Sequence, residues 1–262
     1  MPTLKLGKRD FVEDARDLLF SRYVKPAALP TPPAQFGHET LFAPKAWGML
    51  GNDEWGDCAW AGPAHETMIL TAEGGHPAAF STSSVLSDYA AGTGFNPNAG
   101  PPGNNPTDQG SNVRDVLKYR RATGILDAAN QRHQIGAFVK LDQSNPTEIY
   151  QALYLFQAVG LGLQFPDSAQ QQFQSGEPWD VVPGAKIEGG HYVPLVARRA
   201  NLEIVTWGAL QQMTEAFLTK YCDEAWAYIS VEDLTSGVDP EGFALTQLQS
   251  DLAALSTPAP AA

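Results

Sequence analysis

Cysteine is nearly absent from this chain: Cys58 and Cys222 are the only two in 262 residues, so at most one bridge could form and a disulfide-stapled scaffold is excluded. Both are expected to be reduced. Positive charge is scarce as well. Against 29 Asp and Glu stand 17 Lys and Arg, a formal net charge of -12, whereas a general nucleic-acid binder needs a positive field to displace counterions. The one basic cluster, Arg114, Lys118, Arg120, Arg121 and Arg132, reads as a solvated helix face. Nowhere is there the uninterrupted apolar run of roughly 18 residues that a membrane span requires. The N-terminus, Met1-Pro2-Thr3-Leu4-Lys5-Leu6, reaches Lys8, Arg9 and Asp10 before the apolar core of a secretory signal could form. No nucleic-acid or membrane partner is expected, and the chain is placed in the cytoplasm or on a virion.

What remains is apolar and aromatic enough, at 43% and 10%, to build one large domain or two lobes sharing a cleft. A short helix is expected around Phe11 to Phe20, then Pro26, Pro30, Pro32 and Pro33 impose an extended strap. From Asp57 the spacing of Trp60, Ala64, Met68 and Ala72 is helical and ends at Gly74-Gly75, with Pro63 expected to bend the helix or delay its regular part. Ser83 to Ala91 reads as a short helix and Gly92 to Gly110 as a long loop. Ser111 offers an N-cap for a helix carrying Val113, Val116 and Leu117, and Asn145-Pro146 opens another with Ile149, Leu153 and Phe156. Strands are expected at Ile135 to Leu141, Leu161 to Phe165, His191 to Arg198, Leu202 to Thr206 and Glu224 to Val231, with a polar run from Ser168 to Gly176. Asp239-Pro240 should begin an amphipathic helix using Leu245, Leu248, Leu252 and Leu255, ahead of a disordered tail from Pro258 to Ala262.

The chemistry-bearing stretch is Gly56-Asp57-Cys58-Ala59-Trp60-Ala61. It sets a thiol where a glycine turn hands over to a helix, whose first-turn amides and dipole favour the attacking thiolate. Other chemistries lack their residues. His65-Glu66-Thr67-Met68-Ile69 has no second histidine four residues on, Cys58 and His65 alone make no zinc site, and Gly92-Thr93-Gly94 runs into Phe95-Asn96-Pro97 rather than a phosphate loop. No metal and no cofactor is expected. Asp88, Asp108 and Asp115 read as solvated charge.

The segment Asn52-Asp53-Glu54-Trp55-Gly56-Asp57-Cys58-Ala59-Trp60-Ala61, together with Gly189-Gly190-His191-Tyr192-Val193-Pro194-Leu195-Val196 and Val205-Thr206-Trp207-Gly208, resembles the papain-like cysteine peptidase superfamily over roughly residues 30 to 231. The resemblance implies an α+β fold with a helical lobe, an antiparallel sheet lobe and a cleft between them. It implies Cys58 as nucleophile, His191 as general base, and Asn52, where the family usually has glutamine, as oxyanion donor. Val205 stands where the family's Asn-Ser-Trp-Gly signature has the asparagine that orients the imidazole. Thr206, Gln211 or a water are the candidates to replace it, although strand alternation points Thr206 away from the face of Val205. Trp55, Trp60, Thr206 and Trp207 are candidates for the site wall. The leader and strap would cover residues 1–40, the papain-like domain 41–234, with its helical lobe over about 41–134 and its sheet lobe over about 135–234, and the C-terminal helix and tail 235–262. No inhibitory pro-segment is evident. The resulting expectation is a cysteine peptidase, amidase or acyl transferase working on a peptide or protein through a thioester. The alternative is a weak or inactive binding or structural module of the same fold, meeting a protein partner, for instance on a phage particle.

Overall fold

One helix is buried on all sides and organises the rest. The computed structural model describes residues 4–43, 46–231 and 243–256, and in it helix α1, Cys58–Glu73, is buried from Cys58 to Ile69. A helix apolar all round belongs in a core, and α1 packs on the helices of one lobe and on the sheet of the other. It runs unbroken through Pro63. Helices α2, Thr82–Thr93, and α3, Val113–Ala122, complete the helical lobe. Ser81 closes a capping box on Ser84 at the start of α2, satisfying backbone donors that would otherwise be orphaned. The cap of α3 is Asn112 rather than Ser111, whose hydroxyl instead accepts the Trp60 indole N–H at 2.7 Å.

The short ribbon β2, Ile125–Leu126, with β3, Arg132–His133, leads into the second lobe. The main sheet is antiparallel in the order β4, β9, β5, β6, β7, β8, with β1 added on β6. Its strands are β1 Phe36–Gly37, β4 Ile135–Leu141, β5 Val159–Pro166, β6 Ile187–Arg198, β7 Leu202–Thr206, β8 Ala209–Met213 and β9 Cys222–Ser230. Alternate residues of β4 are buried, whereas β5 is buried on nearly every residue, the difference between an edge strand and a central one. Helices α4, Pro146–Phe156, α5, Asp167–Ser175, and α6, Glu215–Tyr221, flank the sheet. The core between them is built from Val139, Leu153, Leu161, Phe165, Val193, Ile204, Phe217 and Ala227, among others. Helix α7, Leu245–Ser256, covers β4 and buries Leu245 and Leu248. The Asp239-Pro240 cap and the tail from Pro258 lie outside the described residues.

Two further expectations are corrected, and three elements had no counterpart in the sequence reading. Phe11 to Phe20 forms no helix; a single 3-10 turn, Phe20–Arg22, follows it. Asp14 there takes the Arg16 amide at 2.9 Å and its guanidinium at 2.9 and 2.6 Å, a local bond that competes with helix formation. The polar run after Phe165 is helical, as α5, ending at Gly176 in the left-handed region that favours glycine. Strand β8 and helix α6 went unforeseen. Nor is the basic cluster a solvated face: Arg120 is 1% exposed, pairs with Glu66 at 2.5 Å and lies 4.4 Å from the Tyr228 ring centre. Arg114 pairs with Asp17 and Arg132 with Asp88, both at 2.5 Å, while Lys118, beside Asp115, stays exposed.

Candidate active site

Cys58 is the first residue of α1, directly after Asp57, whose side chain makes no capping bond, and His191 lies on β6, where it pairs with Leu163 of β5. The fold brings them together from opposite lobes. The Cys58 sulfur accepts the Tyr192 amide N–H at 3.4 Å, so it rests against the peptide unit that follows His191. No hydrogen bond joins the two side chains, because His191 Nδ1 is buried without a partner. The Tyr192 ring then runs under α1 and places its hydroxyl 2.7 Å from Glu66. A Cβ at Gly62 or Gly160 would come within 2.6 or 1.9 Å of that ring or its hydroxyl, so both glycines are needed for the strand to approach the helix.

His191 Nε2 is 2.7 Å from Thr206 Oγ1. Val205, its neighbour on β7, faces the other way, into the small cluster of Trp47, Ile69 and Val196. Strand alternation thus delivers Thr206, not residue 205, to the imidazole. Gln211, the other sequence candidate, donates instead to the Glu177 and Gln212 carbonyls. Trp207 stacks on the imidazole at 4.5 Å and 20°, with Phe165 edge-on at 5.4 Å and Trp179 at 6.3 Å. Trp179 is a wall residue the sequence did not advertise, since it lies outside every motif. Trp55 and Trp60 instead pack in the helical lobe, on Phe95 at 4.9 Å and Tyr119 at 5.0 Å.

Asn52 is buried, and its Nδ2 donates to the Trp55 carbonyl at 3.1 Å and to the Lys5 carbonyl at 3.4 Å. The Lys5 carbonyl also accepts the Trp207 indole N–H at 3.2 Å. This contact comes from the N-terminal segment, which runs between the two lobes and forms isolated β-bridges from Lys8 to Gly190 and Ser111. Leu4 exchanges two 3.0 Å bonds with the Gln170 side chain. Gly7 and Lys8 amides donate to the Gly190 carbonyl at 3.2 and 3.0 Å, Ser111 donates to the Gly7 carbonyl at 2.8 Å, and Arg9 donates to the Ser111 carbonyl at 2.9 Å. The leader is therefore hydrogen-bonded to both lobes at once. Its fit is so close that a Cβ on Gly7 would lie 1.8 Å from the Gly56 carbonyl oxygen, and one on Gly190 would lie 2.2 Å from that of Lys8. Residues 4–9 therefore lie between the two lobes, alongside Cys58 and the His191 strand.

Under this strand both candidate groups are dry, Cys58 at 1% and His191 at 0% exposure. Burial pushes the Cys58 thiol up to about 12, only partly countered by the amides of Tyr192 and Gly7, with Asp57 adding to the rise. Burial likewise holds the His191 imidazole neutral, its pKa lowered to about 3. So buried, the two groups do not favour a thiolate–imidazolium pair. Beneath Cys58, Asp57 is fully buried and its carboxyl is raised well above the ordinary carboxylate range by that burial. Asp108, read from sequence as solvated charge, instead takes the Gly56 amide at 3.0 Å and the Tyr89 hydroxyl at 2.7 Å, fixing the turn before Cys58. Asp88, similarly misread, takes the Tyr119 hydroxyl, the Leu126 amide and Arg132. His65 is buried on α1 and donates to the Trp47 and Gly48 carbonyls at 3.1 and 3.0 Å. Both cysteines are free, and among the described residues no helix is long and apolar enough to cross a membrane.

No protein-family model matches the chain, and no curated relative does. Solved structures do match. Xylellain, a cysteine protease from Xylella fastidiosa, is 14% identical and superimposes with a TM-score of 0.65 over 87% of this chain and 96% of its own. The fold is papain-like. ProCathepsin B from Trypanosoma congolense is similar at 11% identity and a TM-score of 0.59, covering 86% of each chain. A recombinant stem bromelain precursor is similar at 10% identity and a TM-score of 0.54 over 87% of this chain and 77% of its own. The α+β organisation, a helical part against an antiparallel sheet, is common to this papain-like chain and these proteases.

Proposed function

We propose that this chain is a latent papain-like cysteine peptidase whose groove is held shut by residues 4–9. The observation that carries the reading is the meeting of Cys58, at the start of a buried helix, with the His191 strand, at a groove already occupied by an extended peptide. When the leader withdraws, water reaches both groups, and the desolvation that keeps the thiol and imidazole neutral is relieved. With its proton on Nε2 toward Thr206, His191 offers the Nδ1 lone pair to the Cys58 thiol. The thiolate forms a bond to the substrate carbonyl carbon, and the oxyanion is taken by the Cys58 amide and Asn52 Nδ2. The C–N bond breaks as the imidazolium returns its proton to the leaving amine. Water then attacks the thioester, giving its proton to His191, and the thiol re-forms as the acid departs. A base so placed contributes roughly 100- to 10,000-fold in rate. Hydrolysis of another amide would follow the same steps, and acyl transfer would resolve the same thioester with an amine or hydroxyl acceptor in place of water.

The test is intact-mass detection of an acyl adduct on Cys58 in a full-length Gly7→Val variant, whose side chain cannot fit beneath the Gly56 carbonyl. An adduct lost in His191→Ala supports the peptidase; no adduct with any of a broad set of peptides, while Cys58 is reachable by alkylation, overturns it. A second reading, a peptide-binding or structural module of the same fold, is favoured by the unpartnered His191 Nδ1 and by the absence of a bond from the sulfur to it. That reading includes a place on a phage particle.

A further inference from the structure

The strand in the groove uses its side chains unequally. Backbone bonding to Gly190 and Ser111 would hold any sequence, so discrimination falls to the pockets that receive side chains. Gly7 offers none, Arg9 reaches along the surface to the Gln109 carbonyl at 2.9 Å, and Leu6 lies over Gly189. Lys8 goes inward. Its side chain is 0% exposed, and its ammonium lies 2.8 Å from Asp223 Oδ2, 3.3 Å from Glu224 Oε1 and 3.2 Å from the Arg9 carbonyl. The pocket is shaped for a long side chain: its floor is Gly162, where a Cβ would lie 2.3 Å from Lys8 Cε.

The pocket walls are held independently of Lys8. Gln164 donates to Asp223 Oδ2 at 2.6 Å and the Trp226 indole to Glu224 Oε2 at 2.7 Å. Glu224 is 1% exposed. Even with Lys8 in place, Asp223 Oδ1 is buried and accepts no hydrogen bond, and Glu224 Oε1 is met only by the 3.3 Å ion pair to the ammonium. An ammonium brings three donors and a guanidinium five, so either cationic head carries enough donors for the two carboxylates. Buried carboxylates of this kind are costly without a cation. We propose that the Asp223–Glu224 pocket, filled by Lys8 in the closed form, is the selectivity pocket of the groove and admits a lysine or arginine side chain of a peptide substrate. This rests on the reading of the groove as a peptide-cleaving site. The leader occupies the pocket as an internal stand-in for such a side chain.

The test uses the full-length Gly7→Val chain and acetylated peptides Leu-Gly-Xaa-Arg-Asp, in which Xaa is lysine, arginine, norleucine or glutamate. Binding is read as protection of Cys58 from iodoacetamide, and cleavage is read separately by mass. Lysine and arginine peptides are expected to protect at concentrations at least about tenfold lower than norleucine, with glutamate worst, because a charge-assisted bond replaces an unpaired buried carboxylate. The preference should vanish in Gly7→Val combined with Asp223→Asn and Glu224→Gln. Equal protection by lysine and norleucine, or a preference surviving those two changes, overturns the proposal even if peptides are cleaved. A preference for lysine and arginine without any cleavage sustains the pocket and removes the peptidase. Should Gly7→Val fail to fold, Lys8→Met in the otherwise intact chain reports on the same pocket. It should speed Cys58 alkylation at least about tenfold by loosening the leader, and an unchanged rate overturns the proposal.

Discussion

Thr206 Oγ1 sits 2.7 Å from His191 Nε2 within a wall made by Trp207, Phe165 and Trp179. It is the polar side chain bonded to the imidazole, and it lies one residue along from the position the sequence motif nominated. Thr206→Val should leave Nε2 buried and unpaired and lower unfolding free energy by about 1–3 kcal/mol. Thr206→Ser should retain most of it. Once the groove is open, Thr206→Val should also lower kcat more than it raises KM, since the ring loses its orientation rather than its contact with peptide. Denaturant titration of the three proteins, with kinetics in the Gly7→Val background, decides this; equal stability of the Thr206→Val and Thr206→Ser variants would remove the role.

The closed groove predicts a quiet thiol. With Cys58 raised to about 12 by burial, iodoacetamide at pH 7 to 9 should label it more slowly than a free peptide thiol, because little thiolate forms below that pKa. Gly7→Val should raise the rate, and most at the lower pH, as Cys58 regains solvent and its imidazole neighbour. Peptide mapping of the alkylated chain separates Cys58 from Cys222, whose thiol is also raised by burial. Rapid labelling of Cys58 in the unaltered chain at pH 7 would contradict the seated leader.

Acid should destabilise the fold through two buried imidazoles. In the folded chain the pKa of His191 is lowered to about 3 and that of His65 to about 4, both by burial, from an ordinary 6.5. As pH falls below 6.5 the unfolded chain therefore takes up protons that the folded chain refuses. The stability linked to these groups is present in full above about 6.5 and declines as pH falls toward the folded values, at about 1.4 kcal/mol per pH unit for each proton once the unfolded imidazole is charged. Urea unfolding at pH 7.5, 6 and 5 should show the decline, and it should be smaller in His65→Gln. A flat profile over that range would be inconsistent with neutral buried imidazoles.

Glu66 ties Arg120 and the Tyr192 hydroxyl together under α1, at 2.5 and 2.7 Å. Glu66→Ala leaves a guanidinium without its counterion in a dry interior and should cost about 3–5 kcal/mol. Replacing both members, Glu66→Leu with Arg120→Met, should cost less than the sum of the two single changes, because no uncompensated charge remains. Equilibrium unfolding of the singles and the double forms the cycle, and strict additivity would mean the pair is not coupled.

Much of the frame was legible because it is written in local patterns. Asn145-Pro146 caps and starts α4, the alternation in Ile135–Leu141 marks β4, and Leu202–Thr206 is β7. The helix at Cys58 was visible from its start and from Gly74 at its end. Helix α5 was not, because its buried face is small, with Ala169 and Gln170 its buried residues, and its partners, β5, Trp207 and the leader at Leu4, are remote in sequence or outside any motif. Arg120 read as surface charge because Glu66, its counterion, lies 54 residues away in sequence and meets it only after folding.

By itself the sequence determined where a thiol begins a helix, that a histidine behind two glycines lies in a strand, although that strand starts earlier, at Ile187, and that Val205 could not orient it. Those are statements about neighbours in the chain, set by spacing, backbone freedom and side-chain chemistry. Tertiary structure alone decided that Thr206 meets His191, that residues 4–9 lie in the groove, and that Lys8 ends between Asp223 and Glu224. The physical reason is range: a buried ammonium and its carboxylates stabilise one another only when the fold has excluded water between residues 215 positions apart, and no local pattern carries that information.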